Sequence, residues 1–397
     1  MVLLLAAAFL FPPITWGAEK TSLLMLAKWN RVEDLRKFFD GDPCVEYSIV
    51  VTQDVRVPDT ELARLIRLYF PRTYQDLRQY EVLILSCPDY NLLTAKHDGW
   101  IHDTVSDGAG GINDGSIFSQ IPSIYDAWMA GTAWEAFPND VPAVIANYAS
   151  WAPIESFTVR INPDHHEPVL TTFIPFGVEK YSAYGLGRAV VPPTGSSVLA
   201  WQVGNYAVEL PYLTAWQHGK GRAMTMGGSF PYSWIRYPTE PGGQTYAPEI
   251  VMNIVFWLAG TELIDDVEVF HSVKTDFSEF TARLKVLLSL RDFIDKFGAS
   301  TDRTQREIQS LMDTYAEAEE KYLEHSFAES QASIRTALQR IPAAEAVAKR
   351  EREGALLWVY VINWLVTTST LFITGSILWM LMVRRRLYRS VETTKLS

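Results

Sequence analysis

Short unbroken apolar runs alternate with helically spaced ones over the first part of the chain. Ser22-Leu-Leu-Met-Leu-Ala27, Val45 to Val51 and Glu81-Val-Leu-Ile-Leu-Ser86 have the length and composition of buried strands. Continuous rather than alternating hydrophobicity is what a strand covered on both faces requires. Between the first two runs, Val32, Leu35, Phe38 and Phe39 recur at helical spacing after Asn30, a residue suited to an N-cap. Leu62, Leu65, Ile66 and Tyr69 mark a second helix over Glu61 to Tyr69, and a third starts at Leu93-Thr94 and ends at Gly108. The stretch Ser106 to Ser119 then supplies a fourth short strand and a glycine turn. The order β-α-β-α-β-α-β predicts an α/β domain over residues 20–265 built on a doubly wound parallel sheet.

The pattern changes twice more. Residues 121–217 are rich in Pro, Trp and Tyr, with strand-like runs at Ser156 to Ile161 and Ser197 to Trp201. They read as insertions and extra strands on the same domain, before a late strand over Ala223 to Gly228 and a closing helix over Pro248 to Ala259. From Phe277 the spacing is helical throughout. Phe280, Leu284, Leu287, Ile294 and Phe297, then Ile308, Leu311, Met312, Tyr315, Ala318 and Tyr322, predict two antiparallel helices joined at Gly298 to Thr301. A further segment, Ser326 to Arg340, packs on them before Pro342. The expectation for 277–350 is a helical hairpin or stalk.

Residues 355–383 carry no charged side chain over 29 positions. That exceeds the ~20 apolar residues needed to cross a bilayer. Trp358, Tyr360, Trp364 and Trp379 are suited to anchor it at the interfaces, and Arg384-Arg385-Arg386 follows at once. Positive charge beside a span marks the cytoplasmic side, so residues 384–397 form a basic cytoplasmic tail and the main body lies outside. At the other end, the apolar run Val2 to Phe11, Pro12-Pro13 and Trp16-Gly17-Ala18 predict a signal peptide over residues 1–18. The expected protein is therefore a type I, single-span protein of the cell membrane.

Charge and cysteine usage narrow its partners. The chain has a net charge of −11, while residues 384–397 hold five basic residues and one acidic one, so the rest is more acidic still. An acidic body without a basic stripe argues against nucleic acid. Cys44 opens one predicted strand and Cys87 closes another, parallel one. They fall at opposite ends of a sheet, beyond the reach of a disulfide, and read as two buried thiols. Neither CxxC nor HExxH spacing occurs, and no cofactor or metal is expected. His165-His166-Glu167 reads as a Pro-flanked loop, and His97 and His102 as solvated helix positions.

In an open α/β sheet, ligands bind at the C-terminal ends of the strands. There the sequence places Lys28, Trp29 and Asn30 after the first strand, Asp89 after the third, Asn113, Asp114 and Ser116 after the fourth, and Gly228 after the late one. These are the ligand-binding candidates, and Asp114 is the one candidate general base or metal ligand. The competing reading is that Asn113 and Asp114 cap the turn. Ser116 lacks the GxSxG frame of a serine hydrolase, and Gly108-Ala-Gly-Gly111 lacks the downstream Lys-Ser/Thr of a P-loop.

Several pieces together resemble the amidotransferase-like branch of the class I glutamine amidotransferase-like superfamily, members of which occur in membrane-anchored proteins. They are Tyr80 to Ser86 with Leu93-Thr94, Asp107-Gly-Ala-Gly-Gly111, Gly219-Lys-Gly-Arg222, Trp234 and Asn253 to Gly260. They span residues 22–262. The resemblance implies a flavodoxin-like sheet. It also implies a nucleophilic cysteine in the tight turn after the fourth strand, where this chain reads Gly111-Ile-Asn-Asp-Gly-Ser116 and has none. The expected domain is therefore degenerate and non-catalytic. It binds a ligand or protein, with cell-envelope proteins or a second copy of the helical stalk as partners. The alternative is a cell-surface hydrolase of amides or esters that uses Asp114 and neighbouring polar residues or a metal.

Overall fold

The computed structural model describes residues 20–114, 122–138, 156–165, 167–184, 190, 192–203, 209–228, 230, 235, 237–239, 243–298 and 300–394. The expected signal peptide, Ser116, His166 and Trp234 lie outside the described residues. By its contacts the chain divides into two units: one comprises residues up to Thr275 together with Glu319–Gln331, the other Asp276–Ala318 and Ala332 onward.

The first unit is built on a nine-stranded sheet in the order β2-β1-β3-β4-β9-β8-β7-β5-β6. Its strands are β1 (Thr21–Lys28), β2 (Val45–Gln53), β3 (Val82–Ser86), β4 (Gly110–Asp114), β5 (Ser156–Ile161), β6 (Lys180–Tyr184), β7 (Ser197–Val203), β8 (Glu209–His218) and β9 (Gly221–Met226). The ladders β2-β1, β1-β3, β3-β4 and β4-β9 are parallel. The ladders joining β9, β8, β7, β5 and β6 are antiparallel. The sheet is thus mixed, which corrects the expectation of a purely parallel one. The physical reason lies in β8 and β9. They are joined through Gly219-Lys220, with Gly219 at φ +58°, and so tight a connection forces antiparallel neighbours.

Helices α1 (Trp29–Phe39), α2 (Asp59–Tyr69), α3 (Ala95–Asp107), α4 (Pro122–Ala130) and α5 (Ala247–Ala259) belong to this unit. Two adjacent glycines show how closely helices approach the sheet. A Cβ on Gly110 would lie 2.5 Å from the Leu258 carbonyl oxygen of α5, and one on Gly111 would lie 2.9 Å from the Phe137 ring and 3.0 Å from Val105 of α3. Successive residues of a strand face opposite sides, so α3 and α5 cover opposite faces of β4. That cover explains why β1 and β3 are apolar without interruption: Leu23 to Ala27 and Val82 to Leu85 are all buried.

Local signals decided the helix ends. Thr94 caps α3 by accepting from the His97 backbone N–H, and Gly108 ends it at φ +135°. Asn30 does not cap α1, because the helix begins at Trp29 directly off β1, leaving Lys28 at the cap and Asn30 inside the first turn.

A polar cluster is buried where the loop before β2 meets α5 and the helices that follow, α6 (Val267–Lys296) and α7 (Asp302–Leu323). Lys274 Nζ lies 2.8 Å from Asp42 Oδ2, and His271 Nδ1 lies 3.0 Å from Glu249 Oε1. Burial pulls the Lys274 ammonium down, but Asp42 and Glu249 outweigh it and leave its pKa raised. The hydrogen bond to Glu249 raises His271. Burial pushes the Cys44 thiol and the Tyr322 phenol well up.

In the second unit, Tyr315 packs against Phe277 and Phe280 with ring centroids 5.3 and 5.1 Å apart. Helix α8 (Phe327–Thr394) joins this packing: Arg335 Nε reaches Asp276 at 2.9 Å, and Arg340 Nη2 reaches the Ser310 hydroxyl at 2.7 Å. Helical structure starts ten residues before the expected onset at Phe277. Pro342 does not end the segment that begins at Phe327, and it sits inside α8. Ile341, Ala344 and Ala348 around it are buried, and that packing outweighs the lost backbone bond. Beyond Ala355, α8 is apolar and exposed, long and hydrophobic enough to cross a membrane.

Candidate functional site

Register sets which residues meet at the C-terminal edge of the parallel strands. Ala27 pairs with Ser86, Leu85 with Asn113, and Asp114 with Met226. The tips of β1, β3, β4 and β9 therefore line one edge. Each arrives there because an apolar run ends in polar or turn-forming residues: Lys28, Cys87-Pro88, Asp114-Gly115 and Gly227-Gly228.

Asp114 is the centre of this edge and is fully buried. Its Oδ1 accepts from the Cys87 backbone N–H at 2.9 Å, and its Oδ2 accepts from the Phe230 N–H at 3.2 Å. Ser86 Oγ lies 2.8 Å from Oδ2 and 3.0 Å from the Phe230 carbonyl oxygen. Having one proton, it donates to one of the two at a time. A buried carboxylate holding several donors ties β3, β4 and the segment after β9 together. This is the geometry of a fixed structural acceptor, in which the lone pairs a general base would need are already engaged.

Cys87 is the residue the sequence did not single out. It is half-buried, at φ +56°, in the left-handed region that a side chain other than Gly or Asn rarely adopts. Its Sγ lies 3.9 Å from Asp114 Oδ2. The signal available was its position between the end of an apolar strand and Pro88. Cys44 and Cys87 are both free thiols, as expected, and only Cys44 is buried.

The remaining candidates divide. Asn113 is buried with Oδ1 lacking a hydrogen-bond partner, and its cross-strand neighbour Thr225 is buried with Oγ1 in the same state. The next residue in that row, Thr214, donates to the Pro138 carbonyl at 2.7 Å. Gly228 is buried two residues before Phe230. Asp89 is occupied in its own turn, accepting from the Asn91 backbone and side chain at 3.0 Å each. Trp29 is half exposed and lies under the Arg56 guanidinium, 4.8 Å from its ring centre. Among the described residues, no hydrogen bond or ion pair joins Lys28, Trp29, Asn30 or Asp89 to Asp114. Beside the edge, Tyr90 and Trp128 stack at 4.1 Å, and neither the Tyr90 hydroxyl nor Trp128 Nε1 has a partner. Burial, with Asp114 and Asp98 nearby, pushes the Tyr90 phenol well up. No group of three metal-ligating side chains occurs among the described residues.

No family model matches the chain, and no curated protein matches it. Among solved structures it is similar to two cytoplasmic proteins of Salmonella typhimurium. The first, from strain LT2, has a TM-score of 0.42 at 12% identity over 60% of this chain and 99% of that one. The second has 0.40 at 12%, over 59% and 98%. A β-galactosidase from Bacillus circulans sp. alkalophilus gives 0.36 at 12%, over 62% of this chain and 32% of the enzyme. Likeness at this level carries neither an activity nor a ligand over to this chain.

Proposed function

We propose that the chain is a single-pass membrane protein that presents a degenerate, amidotransferase-like domain of flavodoxin-like arrangement outside the cytoplasm. The domain acts as a ligand- or protein-binding module, with residues 277–350 as its stalk and 384–397 as its cytoplasmic tail. One observation carries the non-catalytic reading. Asp114, the residue best placed for chemistry at the tip of β4, is buried and engaged by Ser86, Cys87 and Phe230. The unpaired Asn113 and Thr225 beside it are the kind of buried polar groups that a bound ligand or an ordered water satisfies. Its partners are sought among cell-envelope proteins.

A second reading, a cell-surface hydrolase of amides or esters, is favoured by one feature. Cys87 holds a left-handed backbone at a strand tip, and such conformations concentrate at functional sites. Treating the native full-length protein with a glutamine-analogue electrophile and mapping adducts by mass spectrometry decides between them. The binding-module reading predicts no adduct at Cys87 under conditions where a small alkylating agent labels it. Stoichiometric modification of Cys87 by the analogue would establish the hydrolase instead.

A further inference from the structure

The reading of residues 355–383 as a membrane span, on which this inference rests, leaves one polar group unaccounted for. In hydrocarbon a polar group without a hydrogen-bond partner is costly, because no water can replace the partner. The hydroxyls of the span mostly solve this within the helix. Thr367 donates to the Asn363 carbonyl at 2.8 Å, Thr368 to Trp364 at 2.8 Å, Thr370 to Val366 at 2.7 Å, Thr374 to Thr370 at 2.8 Å, and Ser376 to Phe372 at 2.9 Å. Ser369 can turn back on its own helix in the same way. Asn363 differs. Its carboxamide carries two donors and an acceptor, more than one backbone carbonyl can satisfy. It is exposed on the helix surface and makes no side-chain hydrogen bond.

Asn363 does not stand alone on its face. Thr367, Thr370 and Thr374 follow at intervals of four, three and four, so the four residues form one stripe down the helix. Threonines whose hydroxyls are turned inward present small, methyl-like surfaces that permit close helix approach. The rings of Tyr360 and Trp364 stand on either side of Asn363, and with Val361 and Thr367 they enclose a recess at its level.

We propose that the occupant of this stripe is a second copy of the same chain. Two spans would lie parallel, related by a twofold axis along the membrane normal, with their Asn363 carboxamides hydrogen-bonded to each other. Three features favour a copy over another partner. A carboxamide is its own complement, donating and accepting at once. Every copy inserted in one orientation places Asn363 at the same depth, whereas a different partner needs a matching polar group at that depth. The span has no charged residue for an oppositely charged partner helix to neutralise. The flank supports this. Residues 345–353 hold Glu345, Glu351 and Glu353 against Lys349, Arg350 and Arg352, a balanced set that does not drive copies apart.

The test uses full-length protein, labelled at its N-terminus with donor or acceptor dyes and reconstituted into phosphatidylcholine vesicles. Energy transfer is measured against dilution in lipid, and vesicle flotation is run on each sample. The wild type is expected to associate, Asn363→Leu to associate about tenfold more weakly, and Asn363→Gln to behave as wild type. Thr368→Leu, on the opposite face, should change nothing. Wild-type protein that floats with vesicles yet stays monomeric overturns the pairing alone. Equal association of wild type and Asn363→Leu overturns it too, and assigns self-association to another part of the chain. Wild-type protein that fails to float overturns the span and the pairing with it.

Discussion

Asp114 shows how a residue of catalytic type becomes structural. A carboxylate at the tip of β4 acts as a base only if a lone pair faces substrate. Here its oxygens meet the Cys87 and Phe230 backbone N–H groups and the Ser86 hydroxyl. Asp114→Asn keeps the shape but turns one acceptor into a donor that faces donors. It should lower stability by about 1–3 kcal/mol, the range for a buried polar group left unsatisfied, and reduce the thermal midpoint of the solubilised protein. An unchanged midpoint would show that the carboxylate is free for another role. None of this was legible locally. The residues that engage Asp114 lie 27, 28 and 116 positions away in the sequence, so Asn113-Asp114-Gly115 reads alone as a turn or as a reactive tip with equal justice. Cys87 escaped for a related reason, since its exposure and its φ of +56° come from the turn after β3 and not from composition.

At the scale of elements, the sequence was most informative where one local rule governs. β1 and β3 showed as unbroken apolar runs because helices cover both their faces, and α3 showed at both ends because Thr94 and Gly108 are strong boundary residues. The antiparallel half of the sheet was less legible. Its partners are fixed by the β8-β9 connection and by register, and β7-β8 carries irregularities that break the alternating pattern. The buried polar cluster was not legible at all, since Asp42, Glu249, His271 and Lys274 are far apart in the chain. It has a consequence for pH. His271 is raised above its ordinary value of 6.5 chiefly by its hydrogen bond to Glu249, with burial opposing. A raised histidine contributes stability that is fully present below the unfolded value, near 6.5, and is lost as pH rises through the higher folded value. The unit should therefore melt at lower temperature as pH climbs above about 6.5. His271→Gln should flatten that dependence in a thermal-melt series across pH, and an equally steep slope in the variant would assign it to another group.

For the molecule as a whole, two properties of α8 matter most. Residues 355–383 are uncharged, and in the structure their large side chains are exposed: Trp358, Trp364 and Trp379 at 66%, 67% and 68%. Roughly 44 Å of such helix is ample for the ~30 Å hydrocarbon core of a bilayer. Water is a poor environment for that surface, and a bilayer is the solvent that suits it. The arginines after the span set the proposed direction of insertion, since basic flanks stay in the cytoplasm. Everything proposed about partners depends on that direction, because it decides which compartment the α/β domain meets. Protease digestion of intact cells, with immunodetection of a C-terminal tag on the same chain, measures it directly. The expected result is loss of the full-length species and a protected fragment that contains residues 355–397. A full-length chain that survives in intact cells and is cleaved only after lysis would place the domain in the cytoplasm and contradict the proposed topology.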